Sequence, residues 1–321
     1  MDKLTIQLDS GGRRQEPVIL DGVTWETSRK GEPGKLTFTC VKDDNLSFSE
    51  GAPVSAWFGN VGFFKGYVFQ KHRNKDHHIE VTAYDQLRYL KNKTTYVWTG
   101  IRADQVVKQI ANDFKLTLGN VSNTKFTIPQ LKCENQTLFD TILNAIDHTV
   151  MNTGNLFYLY DDFGKLTLKN IKESKTDFYI NSETAEDFDY TTSIDNETYN
   201  RILLVNKSSG EGQGVPTVAQ DAKNIAQWGV LQYFEELQNG ENAKTKAEAL
   251  LKLHNKVFRS LSISGHFGDI RVRGGVGVYL DLNLGDMKAK QHMLVEKATH
   301  TFDHGHHTMD LVLQGHEDFY G

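Results

Sequence analysis

In the first part of the chain, apolar residues return at every second position. "KLTIQLD" places Leu4, Ile6 and Leu8 on one side, and "KLTFTCV" does the same with Leu36, Phe38 and Cys40. A period of two lines one face of a pleated strand and smears around a helix, so these segments are committed to sheet. Each run is short and ends in a turn cluster, "DSGG", "KGEPG" or "SEGAP". Short strands punctuated by glycine and proline are the pattern of a small barrel or sandwich.

The texture changes near residue 83. "AYDQLRYLKNK" leaves a strand for one or two helical turns, with Leu87 and Leu90 on one side. "IRADQVVKQIANDFKL" then carries Val106, Val107, Ile110, Ala111 and Phe114 at helical spacing. A second helix, "TLFDTILNAIDHTVMNTG", turns Leu138, Ile142, Leu143 and Ile146 inward, with Asn135 as expected N-cap and Gly154 as stop. "LFYLYDDFGKLTLKNI" follows as a hairpin turning at "DDFGK". From 191 the strands return, interrupted by one long helix, "ENAKTKAEALLKLHNKVF", with Ala247, Leu250, Leu251 and Leu253 among charges. The expected fold is α+β and mostly β. Two β modules, 1–95 and 191–321, flank an α/β middle domain, 96–190.

The two β modules repeat one theme. "GYVFQKHRNKDHHIEVTAYD" and "HMLVEKATHTFDHGHHTMDLVLQG" are hairpins with polar tips, and a His-His pair opens each returning strand: His77-His78 and His306-His307. This suggests a duplicated β module. The second hairpin holds four histidines and two aspartates within residues 299–310, the density of a metal site. Centring the turn between His304 and Gly305 pairs Phe302 with His307, His300 with Met309 and Ala298 with Leu311. Only His300 and His307 then share a face, and no carboxylate joins them, so a polar hairpin end is the expectation and no metal ligand is assigned.

Other chemistry finds little purchase. With 38% apolar and 24% charged residues in 321, the chain has the make-up of a globular protein. A net charge of −5 with scattered Lys and Arg argues against nucleic acid; the densest basic run is "QKHRNK", 70–75. Cys40 and Cys133 form no CxxC pair and are expected to be separate thiols. No export signal and no 18-residue apolar run occurs, which places folding in the cytoplasm with no membrane span. HExxH and GxSxG are absent, and "GEGQGVP" (210–216) lacks the Lys-Ser/Thr of a phosphate loop, so a surface loop is expected there. Asp161-Asp162 sits at a hairpin turn, where Asp is favoured for backbone reasons. Two carboxylates across a cleft would make a glycosidase, so a peptidoglycan hydrolase or cell-wall-binding protein is the alternative function. Trp57, Phe58, Phe63, Phe64, Tyr67 and Phe69 crowd one stretch, which reads as core plus interface rather than a ligand cage. No catalytic, cofactor-binding or metal residue is assigned.

Several stretches resemble one family. "VTAYDQLRYLKNK", "LFDTILNAIDHTVMNTGNLFYLYDDFGKLTLKNI", "WGVLQYFEELQNGENAKTKAEALLKLHN", "FGDIRVRGGVGV" and "LVEKATHTF" are similar to tail hub proteins of PBSX-like prophages. These form a branch of the late control protein D and contractile-tail baseplate hub superfamily. The resemblance covers about 36–315 and is most specific over 137–171. It implies two tube-like β-barrels per chain, similar to the N-terminal part of the spike protein VgrG. It also implies a homotrimer whose six barrels form a ring between a hexameric tail tube and a trimeric central spike. Baseplate wedge or LysM-type tail proteins would be further partners. The family brings no catalytic residue and no cofactor. Localisation would be the bacterial host cytoplasm during assembly, then the tail baseplate. Exposed apolar positions in "VSAWFGNVGFF" would mark part of an interface, with edge strands joining neighbouring chains.

Overall fold

The computed structural model describes residues 3–75, 77–181, 187–195, 197–206, 216–237, 242–283 and 288–315. The N-terminal part is all strand: β1 (Leu4–Ser10), β2 (Arg13–Gln15), β3 (Val23–Ser28), β4 (Lys35–Val41), β5 (Pro53–Phe58), β6 (Val61–Arg73) and β7 (His78–Asp85). The alternation is realised directly: Leu36, Phe38 and Cys40 of β4 are buried, and the residues between them are not. Trp25, Leu36, Phe38, Val54, Phe64 and Ile79 fill this module's core.

A short 3-10 helix, Gln86–Lys91, leads out, with Asp85 accepting from the Leu87 amide and Leu87 and Leu90 buried. Next come β8 (Lys93–Ile101), α1 (Ala103–Asp113), β9 (Leu118–Val121), β10 (Ile128–Thr137), α2 (Leu138–Thr153), β11 (Phe157–Asp161) and β12 (Leu166–Asn170). The helical stripe packs as expected: Val106, Val107, Ile110, Leu138, Ile142 and Ile146 are buried in one cluster. The cap of α2 differs from expectation. Thr137, not Asn135, accepts from the Asp140 amide. Asn135 instead has φ 51° where β10 slips register against β8, and Asn tolerates that left-handed turn. Gly154 does end α2, at φ 67°.

The remaining elements are β13 (Lys175–Asn181), β14 (Asp187–Ser193), β15 (Arg201–Asn206), β16 (Pro216–Gln220), α3 (Ala222–Trp228), β17 (Gln232–Leu237), α4 (Ala243–His254), β18 (Phe258–Phe267), β19 (Gly277–Asn283), β20 (Lys288–Asp303) and β21 (His306–Gln314). Strands β15 to β17 form a separate small sheet, on which α4 buries Ala247 and Leu250. This unit is inserted between β14 and β18, which pair with each other. Strands β13 and β14, just after the middle helices, pair with β19 and β18.

The two large β groups have one topology. The first runs β3-β4-β7-β6-β5-β1, the last β14-β18-β21-β20-β19-β13. Taken in chain order, each group reads second, third, sixth, fifth, fourth, first. Strand sense agrees at four of the five junctions; β1 meets β5 antiparallel, whereas β13 meets β19 parallel. Even the bulges correspond, between Val68 and Gln70 in β6 and between Val295 and Lys297 in β20.

The fold is mostly β, as the alternation requires. No closed barrel forms among the described residues. The path there stays open, because β20 takes the outer edge of β3 and fuses both groups into one 13-stranded sheet.

Candidate functional site: the seam between the two β modules

Strand β20 serves both modules. Its first half pairs with β19, and past its bulge it pairs with β3, from Lys297 opposite Ser28 to Phe302 opposite Val23. On its other side β21 follows the hairpin register expected from sequence: Phe302 faces His307, His300 faces Met309 and Ala298 faces Leu311.

Charge pairs hold one end of this seam. The Arg29 Nε donates to Glu296 Oε1 at 2.8 Å, and the Arg29 amide donates to the Glu296 carbonyl at 2.9 Å. Glu26 receives Lys297 at 3.0 Å and also Lys35. Burial works to raise the Glu26 carboxyl, but these two lysines outweigh it and hold the group below its ordinary range.

The middle of the seam is aromatic and histidine-lined. Trp25 stacks on His300 with centroids 4.9 Å apart, and Phe302 stacks on His307 at 4.3 Å. His300 is fully buried. Its Nε2 lies 2.8 Å from the Val272 carbonyl, which can only accept, so Nε2 carries the proton. Its Nδ1, 2.9 Å from His307 Nε2, must then accept. Burial, followed by the neighbouring His307, pushes the His300 imidazole down to about 3. Burial pushes His307 down to about 4. Both ring nitrogens of His300 are thus spent on protein partners.

Arg273 ties the middle domain to the seam. Its guanidinium lies 4.4 Å over Tyr160 and 5.7 Å from the Trp25 ring, and it donates to the Asp161 carbonyl at 2.8 Å. Asp161 and Asp85 are each 3% exposed, buried in the same joint rather than set across an open cleft. Asp85 accepts from the Gly34 amide at 2.9 Å and the Leu87 amide at 3.0 Å. Burial, then the charge of Asp161, drives the Asp85 carboxyl well up; burial also raises Asp161.

The other sequence candidates scatter. His77 and His78 sit at the β6–β7 tip, far along the chain from His300, and His77 has φ 60°. At the tip of the second hairpin, Asp303 and His304 gather with Asp21, all three exposed and with ligand atoms within 4.8 Å. Sequence reasoning missed Asp21, which arrives from the loop before β3. The His304 amide already donates to Asp21 at 2.9 Å, and its ring meets Asp303 at 3.0 Å. Of the aromatic run, Phe63 and Phe64 are buried, while Tyr67 is 37% exposed and packs near Tyr89. Cys40 and Cys133 are buried, unbridged thiols. Residues 210–215 of the glycine-rich "GEGQGVP" lie outside the described residues. No helix among the described residues is long and apolar enough to cross a membrane.

A family model, YQBQ-like, matches residues 23–314. The chain belongs to the YQBQ-like family. One curated relative of this YQBQ-like chain is the phage-like element PBSX protein XkdQ of Bacillus subtilis, 30% identical over 92% of each chain. In fold it matches the 43 kDa tail protein of prophage MuSo2 from Shewanella oneidensis, with TM-score 0.70 and 11% identity over 96% of this chain and 98% of that one. It also matches the E. coli c3393 protein, described as a type VI secretion component with structural similarity to the T4 tail proteins gp27 and gp5. That match has TM-score 0.54 and 10% identity, covering 99% of this chain and 78% of the other. The YQBQ-like chain is therefore similar to prophage tail proteins throughout its length.

Proposed function

We propose that this chain is the structural hub of a contractile phage tail or phage-tail-like particle. In this role three copies form a ring of six β modules that joins the hexameric tail tube to the trimeric central spike. The observation that carries the reading is the pair of modules with one strand order, fused at β3 and β20 within a single sheet. A part that meets sixfold symmetry on one side and threefold symmetry on the other needs two near-equivalent surfaces per chain, and a duplicated module supplies them.

The middle domain and the β15–α4 unit interrupt this repeat without breaking it, which leaves them free to meet baseplate wedge or LysM-type tail proteins. The role is non-enzymatic: the buried histidines and carboxylates at the seam act in assembly and need no cofactor. Assembly takes place in the bacterial cytoplasm, and the finished protein resides in the tail baseplate. Imaging of particles carrying a tagged copy tests this. Density for three tagged chains between tube and spike is expected; a tag elsewhere, or cell-wall lysis by the purified chain, would sink it.

A further inference from the structure

The seam within one chain has a counterpart that finds no strand partner among the described residues. The modules can be superimposed row by row. Glu26, Lys35, Tyr84, Tyr67 and Pro53 lie across the first sheet. Thr191, Ser260, Gln314, Leu294 and Gly277 lie across the second in the same strand positions. In both, the bulge falls two residues past the last pairing with the preceding strand, at Phe69 and at Glu296.

Under this correspondence β14 stands where β3 stands, and β6 past its bulge stands where β20 meets β3. Yet among the described residues β14 pairs only with β18, and β6 beyond Tyr67 pairs along its length only with β7. Both edges are open to solvent: His72, Arg73, Asn74 and Lys75 are exposed, and Phe188 is 42% exposed. Exposed edges of this kind invite pairing and are usually guarded or used.

The first edge ends in Lys71, His72 and Arg73, and the second begins with Asp187 and Asp189. Lys71 turns back onto the Phe48 carbonyl at 2.7 Å, and Arg73 is exposed at the end of the strand.

We infer that the β6 edge of one copy pairs antiparallel with the β14 edge of a second copy, repeating between chains the β20–β3 seam found within each. Transferring the register Lys297–Ser28 through Phe302–Val23 sets Gln70 opposite Ser193, Lys71 opposite Thr192 and His72 opposite Thr191. Arg73, the last residue of β6, then faces Tyr190. With that pairing Asp187 and Asp189 leave the other face of the sheet, so charge attracts the edges only at a distance and does not set the register. Each copy offers one edge of each kind, so the contact is head-to-tail and closes into a ring when the rotation permits. This deepens the hub proposal and rests on it for closure, while the strand partners follow from the repeat alone.

Cysteine cross-linking tests the register. Directly opposed residues on antiparallel strands are within disulfide reach, and the native Cys40 and Cys133 are buried and do not compete. The full-length double variant His72→Cys, Thr191→Cys is oxidised in isolated protein and in assembled particles, then run without reductant. A covalent ladder ending at a closed ring is expected, and mixing the two single variants should give dimers only. The pair His72→Cys, Thr192→Cys, whose side chains leave opposite faces, should cross-link roughly tenfold less. Oligomers seen by native mass spectrometry or in particles without the cross-link would overturn the strand pairing and leave the hub reading standing. Absence of both would overturn the two together.

Discussion

His307 donates its Nε2 proton to His300 Nδ1 across 2.9 Å, and the direction of that bond is set by a third group, the Val272 carbonyl. Because burial keeps both rings neutral and His300 gives its Nε2 proton to that carbonyl, the relay has one polarity. The pair sits where β20 crosses from its own module to β3, under Trp25. Protonating His300 Nδ1 would remove the acceptor for His307 and place an imidazolium beside the buried Trp25 indole.

The first consequence is acid sensitivity. An ordinary histidine titrates near 6.5, whereas His300 and His307 lie at about 3 and about 4. The unfolded chain therefore binds more protons than the folded one below 6.5, so stability is fully present above that pH and lost as pH falls toward 4 and 3. Each ring contributes up to roughly 1 kcal/mol per pH unit in that window. Thermal melts at pH 7.5 and 5.0 should show a marked fall in Tm for the native protein. The double variant His300→Asn, His307→Asn should start lower and fall less; parallel curves would refute the assignment.

Gly268 makes a second, steric prediction. A Cβ there would come within 2.3 Å of the His307 ring, and the Gly268 amide is tied to the His307 carbonyl at 2.8 Å. Gly268→Ala should therefore cost about 1–3 kcal/mol, in the manner of an overpacked core. Truncating the ring with His307→Ala should recover part of that loss. Urea denaturation of the two single variants and the double variant measures the coupling, and additive effects would argue against the contact.

Much of this was legible in the sequence, for a physical reason. Alternation fixes which face of a strand is buried, so the hairpin register 298–311, with His300 and His307 on one face, could be placed from sequence. The helical stripe around Val106 and Ile110 is local in the same way. What lay hidden is long-range pairing. Nothing in β20 announces that residues 297–302 pair with 23–28, since a strand's edge preference is carried by backbone groups common to all residues. Asp21 joined Asp303 and His304 through that same unseen pairing, and Asn135 looked like a cap because a bulge displaced the helix start by two residues. The order shared by the two modules became visible only as topology; the His-His echo at 77–78 and 306–307 is one residue out of the register that matches Tyr84 to Gln314.

The Arg29–Glu296 pair tests how far the seam depends on its charged end. The side chains are 7% and 24% exposed, so removing one partner strands the other in a poorly solvated place. Arg29→Ala should cost about 3 kcal/mol, whereas Arg29→Met with Glu296→Leu should cost much less, because the desolvation penalty is removed with both charges. Hydrogen exchange should localise the single variant's loss to β3 and β20. Uniform loosening of the whole sheet would show that the pair does not hold the seam in particular.

The joint at Asp85 and Asp161 separates two roles for buried carboxyls. Asp85 is a bracket, accepting from the Gly34 and Leu87 amides. Asp85→Ala leaves both donors buried without an acceptor and should cost about 1–3 kcal/mol for each. Asp161 accepts from the Gly164 amide at 2.5 Å, and the Gln86 side chain and the Arg273 charge also ease its burial. Asp161→Asn keeps an oxygen for Gly164 and removes the negative charge that, after burial, raises Asp85. Both carboxyls have folded pKa values above their unfolded ones, so their contribution is present below the ordinary carboxylate range and lost as pH rises through the raised values. Relative to the native protein, Asp161→Asn should therefore gain stability as pH rises from 5 to 8. Paired melts across that range read the difference directly, and a gap that stays constant or closes with rising pH would show that the two carboxyls do not repel one another in the folded protein.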